Sequence, residues 1–408
     1  MNAKDSLLDE FTFINYLSRE EIKYHLPNEI TLDNFWKEIA AFRKQRCDRF
    51  PFCDQQNNQF WYFLIPSLQK KLHEIDSLGK DSLYQLVKQE IESELIKDSL
   101  IEEALYSSVI EGAFSTIKRL KELVNKEDKP RDINDQMVLN NYNAMQYILE
   151  EKHKDISQEL ILKLHKIVTD KTLDEDDKDY TGRFRDDWVY IRDHRDRIIY
   201  TPPAADKVIP AIENLISWVN KKDEAMFIHP IIKASIVHFY MVYIHPFFDG
   251  NGRTARALFY FYLIKHRYEF FKYFSISVVV QKAKGQYYKA IRDVENNQAD
   301  LTYFLIYMAK TILDSIKLVK ERIVHHYHKD FVFDKVKEKG YILSKRQEKF
   351  LKRFLVSDRR AITIKTYQKL YNVVYETARR DLEDLHEKGI LTKTKQHRAF
   401  VYMPNYDF

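Results

Sequence analysis

The sequence predicts a mainly α-helical protein, and three features carry that prediction. Apolar residues recur at three- and four-residue spacing along most of the chain, as in Leu68, Leu72, Ile75 and Leu78, which is the repeat of one helix face. Glycine is scarce, 8 in 408 residues, where roughly 7% is usual, so each glycine stands where something demands it. One stretch reads as strand, turn and strand: Trp188 to Arg192 and Arg197 to Thr201 around Asp193-His194-Arg195-Asp196, stopped by Pro202 and Pro203.

With 45% hydrophobic residues the chain can bury a substantial core and is long enough for two or three domains. We expect a helical region over about 1–100, a second helical unit over about 101–328, a charge-rich linker, and a small domain over 341–408. The start, MNAKDSLLDEF, carries acids and no signal-type apolar run, which predicts a cytoplasmic protein. The longest charge-free apolar segment, Ala234 to Phe248, holds two histidines and a proline and falls short of the about 20 residues that cross a bilayer. Cys47 and Cys53 fit neither a disulfide framework nor a zinc ribbon and read as reduced structural thiols. Residues 341–408 balance at +7 and the remainder at −2, which makes the tail the place to seek a nucleic-acid partner.

Ile231 to Ile244 is apolar nearly all round and predicts a core helix. His238 and His245, seven apart, share a face, and Pro246 limits the helix at the residue before it. Asp249-Gly250-Asn251-Gly252 then opens a new helix through Arg253, Thr254, Ala255, Arg256, Ala257, Leu258 and Phe259. Glycines that turn amides inward, followed by the free N–H groups of a helix start, make an anion site, and phosphate is its natural occupant. Arg253 and Arg256, three apart, share a face and can grip phosphate oxygens. Asp249 offers an oxygen ligand for Mg²⁺ held between phosphates. His245 has the ordinary pKa, near 6.5, of a base acting around neutrality. A polar helix start with a core histidine and solvated arginines is the plainer alternative. A P-loop kinase is excluded, since the single Gly-Lys pair, Gly79-Lys80, is followed by Asp81.

His245 through Arg256, HPFFDGNGRTAR, resembles at every defined position the Fic-domain signature His-Pro-Phe-x-Asp/Glu-Gly-Asn-Gly-Arg-x-x-Arg. The resemblance implies a Fic-type helical core with one β-hairpin flap that transfers AMP from ATP to a Ser, Thr or Tyr of a target protein. His245 would be the general base and Asp249 the magnesium ligand. Gly250, Asn251, Gly252 and the loop amides would meet the phosphates, and Arg253 and Arg256 the outer ones, with Phe247 anchoring the loop. Gly252 stands where the phosphotransferase branch of the family has lysine, which argues for nucleotidyl transfer.

Ser107-Ser108-Val109-Ile110-Glu111-Gly112 places Ser107 and Glu111 four apart on one helix face, alone a capping or solvated pattern. It resembles the family's inhibitory motif, which implies that Glu111 pairs with Arg256 in the place of the γ-phosphate. Gly182-Arg183-Phe184-Arg185, the hairpin and Tyr200-Thr201-Pro202-Pro203 resemble the family's substrate flap. Tyr287-Tyr288 resembles the tyrosine pair beside the base, although Gln281-Lys282-Ala283 stands near where Asn-Arg is frequent, which leaves base selectivity open.

In the tail, Ile364, Leu370 and Val373 lead into Tyr375 to Lys388, with Ala378, Leu382 and Leu385 on one face, and Gly389 stops the run. Ile390 to Met403 carries β-prone residues around Lys393, Lys395, His397 and Arg398. The order resembles a winged helix-turn-helix, with Arg379, Arg380, Lys393 and Lys395 as candidate DNA contacts, opposed by Asp381, Glu383, Asp384 and Glu387. His325, His326 and His328 have no partner motif and read as a solvated helix end. Three readings stay open: a protein AMP transferase restrained by Glu111, a DNA-binding regulator that senses nucleotide, and transfer from another donor. A homodimer is compatible with each.

Overall fold

A computed structural model of the chain describes residues 3–87, 89–192, 195–221, 227–355, 357, 361–396, 399–406 and 408. It divides into two compact units, Met1–Ile316 and Lys317–Phe408. The helices Ala3–Asp9 and Ile117–Val124 and shorter helical turns aside, the first unit runs α1 (Leu32–Lys44), β1 (Asp48–Cys53), β2 (Gln59–Tyr62), α2 (Pro66–Asp76), α3 (Gln89–Ile110), α4 (Ile133–Glu150) and α5 (Gln158–Val168). It continues with β3 (Ile191–Arg192), β4 (Ile198–Tyr200), α6 (Val208–Asn220), α7 (Pro230–Ile244), α8 (Asn251–Lys265), α9 (Ile276–Lys282) and α10 (Lys284–Asn296). The unit boundary falls inside α11 (Thr302–Glu338).

The core is built around α7 and α8. Both are apolar on every side, and side chains from Ile231 to Ile244 and from Ala255 to Ile264 are almost all buried, so neighbouring helices must cover them all round. Pro230 fits the first position of α7, where no N–H is needed, and the His229 side chain caps Ile231.

Residue 100 lies within α3, and residues 1–100 pack as part of the first unit. Arg43 shows why. Its buried guanidinium donates to Tyr303 Oη at 2.7 Å, Phe11 O at 2.6 Å and Leu17 O at 3.0 Å. Tyr16 donates to Asp300 at 2.7 Å. A second hairpin, β1–β2, joins the expected one. Helix-period reading passed over it because Phe50, Phe52, Phe60 and Trp61 look like any apolar run, while its turn depends on Asp54 accepting from Gln56 and Asn58 and on Asn57 at φ 63°. The expected hairpin pairs as β3–β4, shorter than read; Asp193 and His194 of its turn lie outside the described residues.

The charged segment expected as a linker is helical through Glu338. Val332 and Val336, one turn apart, are buried in the core of the second unit with Phe350, Tyr367, Leu382 and Tyr402. That unit continues with α12 (Lys345–Phe354), β5 (Ile362–Thr363), α13 (Ile364–Tyr371), α14 (Tyr375–Glu387), β6 (Leu391–Gln396) and β7 (Ala399–Pro404), its antiparallel sheet ordered β5-β7-β6. Both cysteines are free thiols. No helix among the described residues is long and apolar enough to cross a membrane.

Helix α3 is fixed by Glu103, whose buried carboxylate accepts from Tyr260 Oη at 2.8 Å, Ser275 Oγ at 2.7 Å, Ser277 N at 3.1 Å and Ser277 Oγ at 2.5 Å. Glu103→Ala would strand these donors in a dry interior. It should cost about 3 kcal/mol or more, read as a lowered urea midpoint; an unchanged midpoint would show that the network does not anchor α3.

Candidate functional site

The chain leaves α7 through His245, which adopts the left-handed conformation, φ 50° and ψ 63°, while its N–H still closes the helix on Met241 O at 3.1 Å. Such a backbone is uncommon for a residue with a side chain and persists only when neighbours enforce it. Arg185 enforces it. The buried guanidinium donates from Nε to His245 O at 2.8 Å, from Nη1 to Asp187 O at 2.8 Å, and from Nη2 to Pro203 O and, at 3.4 Å, Ile244 O. Its own N–H reaches Pro246 O at 3.0 Å.

The His245 ring sets its Nδ1 3.3 Å from Val242 O. A carbonyl only accepts, so Nδ1 carries the proton and Nε2 keeps its lone pair. Burial lowers the ring's pKa from the ordinary 6.5 to about 4. The imidazole is therefore neutral at physiological pH for a stronger reason than the unperturbed value suggested.

The loop after His245 is shaped from inside. Phe247 is fully buried, stacked on His165 with centroids 3.7 Å apart and on Phe184 at 5.4 Å. His165 Nε2 donates to Asp249 O at 3.0 Å while Nδ1 accepts from Gly182 N–H at 3.1 Å, and burial lowers its pKa to about 4. Asn251, expected on the phosphates, turns its side chain to the loop: Oδ1 accepts from Phe247 N at 3.0 Å and Nδ2 donates to Phe247 O at 2.8 Å. Gly250 has φ 77°, and a Cβ there would lie 2.7 Å from Thr169 Cγ2. Helix α8 thus starts at Asn251 with the Gly250 to Arg253 amides outside the intrahelical ladder.

The two arginines part company. Arg253 is 0% exposed, donating to Val168 O at 2.9 Å and to Asp249 Oδ2 at 2.8 Å. Expected on the outer phosphates, it meets protein here, because α8 is buried all round. Arg256 is 2% exposed and reaches α3, with Nε on Ser107 Oγ at 2.7 Å and Nη2 on Ser107 O and Glu111 Oε1, each at 2.8 Å. The Glu111 side chain, 29% exposed, also lies over the start of α8: a Cβ on Gly252 would meet its Oε1 at 2.1 Å. The cradle read from the sequence as a phosphate site lies against the protein's own carboxylate, favoured by the helix dipole.

Asp249, 53% exposed, offers one carboxylate at the rim of that cradle, and no cluster of three or more metal-ligating side chains occurs among the described residues. Such a site fits an ion that arrives with phosphates and takes most of its ligands from them. Tyr287 is buried, with its hydroxyl 2.8 Å from His238 Nε2, while Tyr288 is exposed at the surface. Tyr200 Oη at the flap base donates to Tyr243 O at 2.9 Å, and Gln55 of the β1–β2 turn donates to Thr201 O at 2.9 Å. His165, Arg185's clamp and Gln55 were not legible: each acts through backbone atoms brought together by the fold.

In the second unit, α14 spans Tyr375 to Glu387, with Lys388 as its C-cap. Arg379 pairs with Glu376 at 2.7 Å and Lys393 with Glu383 at 2.5 Å, whereas Arg380 and Lys395 are exposed. His397 and Arg398 lie outside the described residues.

Fold and loop together define a helical domain with an anion cradle at a helix start, joined to a winged-helix unit. Residues 155–263 match the Fic/DOC family and residues 346–396 the DeoR-like helix-turn-helix domain. The chain carries a Fic domain and, beyond it, a DeoR-like helix-turn-helix domain. It is 30% identical over 163 residues to protein adenylyltransferase fic-1 of Caenorhabditis elegans, covering 40% of this chain and 28% of that protein. Protein adenylyltransferase Fic of Nematostella vectensis is 31% identical over 169 residues, 40% of this chain and 37% of that protein. The chain thus spans well under half of these relatives. Among solved structures, a Fic family protein from Desulfovibrio desulfuricans G20 superposes with a TM-score of 0.54 at 17% identity, over 84% of this chain and 97% of that one. Residues 134–508 of Fic-1 from C. elegans give 0.52 at 23% identity, over 62% and 72%. These superpositions establish the shared fold.

Three histidines, the buried His165 and His238 and the partly buried His245, have pKa values lowered by desolvation to about 4, 3 and 4. The unfolded chain takes up protons near 6.5 that the folded unit refuses. Stability should therefore be full above pH 6.5 and fall below it, by about 1.4 kcal/mol per pH unit for each histidine. Urea midpoints at pH 7.5 and 5.5 check this; equal midpoints would show that the rings are not held neutral.

Proposed function

We propose that this protein transfers AMP from ATP to a hydroxyl of a target protein and that Glu111 restrains the reaction. The observation that carries the reading is the Glu111 carboxylate, 2.8 Å from Arg256 and packed on Gly252, in the space where the first amides of α8 would meet a phosphate. The resemblance of the Fic domain to proteins named protein adenylyltransferases, at 30–31% identity, supports it.

In this reading His245 Nε2 takes the proton of the target hydroxyl, whose oxygen bonds to the α-phosphorus as the bond to the pyrophosphate leaving group breaks. The α8 amides and Arg256, released from Glu111, hold the phosphate oxygens. Asp249 would hold Mg²⁺, which neutralises phosphate charge when bound. Arg253 positions Asp249 by its ion pair and does not touch the nucleotide. The hairpin presents exposed Trp188, Tyr190, Ile198 and Ile199 as a surface for an extended target segment.

With α-labelled ATP, Glu111→Gly should raise label transfer to protein at least tenfold, since about 1.4 kcal/mol of relieved competition is a factor of ten, and His245→Ala should abolish it in either background. Equal labelling by wild type and Glu111→Gly would remove the restraint, and labelling that survives His245→Ala would remove the mechanism.

A second reading rests on the helix-turn-helix match and the exposed Arg380 and Lys395: the tail binds duplex DNA. Replacing both with alanine in the full chain should reduce the salt slope of DNA binding by about 2. No salt-dependent binding by wild type would leave the tail as a docking module.

A further inference from the structure

The last four carbonyls of a helix have no intrahelical donor, and at the end of α3 each has found one. Ser107 O accepts from Arg256 Nη2 at 2.8 Å. Ser108 O accepts from Ala113 N at 3.0 Å and Val109 O from Gly112 N at 3.1 Å, the paired ending that a glycine in the left-handed region permits, here at φ 98°. The fourth, Ile110 O, is taken by Lys284 Nζ.

Lys284 is the first residue of α10, and its ammonium lies 5.7 Å from the ring centroid of Tyr288 one turn on. A cation at a helix C-terminus meets the negative end of the dipole as well as the carbonyl itself. The peptide it holds is the one that leads into Glu111. Past that point the chain turns away: Ala113 is buried, Phe114 N–H donates to Asn134 Oδ1 at 2.9 Å, and the Phe114 side chain is 86% exposed, while no atom beyond its chain neighbours lies within 4 Å of the place a Gly112 Cβ would take. Among the described residues, the side chains that hold these four carbonyls, beyond the main-chain amides of residues 111–113, are those of Arg256 and Lys284.

We propose that Lys284 is a positioning residue of the restraint: by fixing the Ile110 carbonyl it registers the Glu111 carboxylate over Gly252, and losing this one contact loosens the brake with Glu111 itself intact. The inference rests on the reading of Glu111 as the restraint. It gives α10 a task beyond the tyrosine pair, since the helix that carries Tyr287 and Tyr288 also carries the latch.

Calorimetric titration of Mg²⁺-ATP into the full chain tests it with Lys284→Met, Lys284→Arg, Glu111→Gly and the double variant Glu111→Gly/Lys284→Met. Lys284→Met should tighten ATP binding about three- to tenfold, the net size of one ordinary hydrogen bond. Lys284→Arg, which keeps a cationic donor, should stay near wild type. In the Glu111→Gly background Lys284→Met should add nothing, and the double variant's ATP binding shows that the fold survives. Tightening by Glu111→Gly without tightening by Lys284→Met overturns this inference alone. Weakening by Lys284→Met to the same factor in both backgrounds also overturns it, making Lys284 a nucleotide contact. No tightening by Glu111→Gly overturns the restraint, and this inference with it.

Discussion

Arg256 is all but removed from water, and a buried guanidinium needs protein acceptors for its charge and its N–H groups. Ser107 and Glu111 supply them, and this one cluster joins α8, which begins the anion cradle, to α3, which ends in the SSVIEG segment. Much of the surrounding architecture follows from keeping the two helices in register. Glu103, two turns before Glu111, anchors α3 to Tyr260 of α8 and to Ser275 and Ser277 at the start of α9. Gly252 lacks a side chain because the carboxylate needs its space, and Gly112 lets the helix stop immediately after the residue that matters.

The same economy holds around His245. Its ring is kept neutral by burial and in one tautomer by Val242 O. Its left-handed backbone is held by Arg185, and the loop behind it by the stack of Phe247 on His165. Two buried cations with quite different duties result. Arg256 faces the cradle, while Arg253, three residues earlier on the same helix, directs Nη1 and Nη2 to Val168 O and Asp249 and leaves its buried Nε without a protein partner. Spacing alone made them equivalent; the all-round burial of α8 separates them.

What could be read from residues was what is local. The apolar periodicity of α7, the glycines at the start of α8 and the serine-to-glutamate spacing in α3 are consequences of neighbouring positions, and the helical fold and the loop followed from them. The β1–β2 hairpin was not legible because its aromatic residues suit either element and its turn uses Asn57 in place of glycine. Residues 329–338 were mistaken for a linker because their charges obscured Val332 and Val336. Asn251 was assigned to phosphate when its side chain closes the loop, and His165, Arg185 and Lys284 went unassigned. Asn251 meets the main chain of Phe247 only four residues back, whereas His165, Arg185 and Lys284 meet main-chain atoms distant in sequence, and no composition or spacing reports such a meeting.

The base of the flap leans on Gln55, a residue some 190 positions before the histidine, through its bond to Thr201 O, and the Gln55 amide itself donates to Tyr243 Oη at 2.8 Å. Amino-terminal residues far from the signature thereby shape the base of the hairpin. A change confined to this peripheral turn can reshape the hairpin without touching the His245 loop, and a fragment trimmed to the signature-bearing helices would lose that adjustable rim.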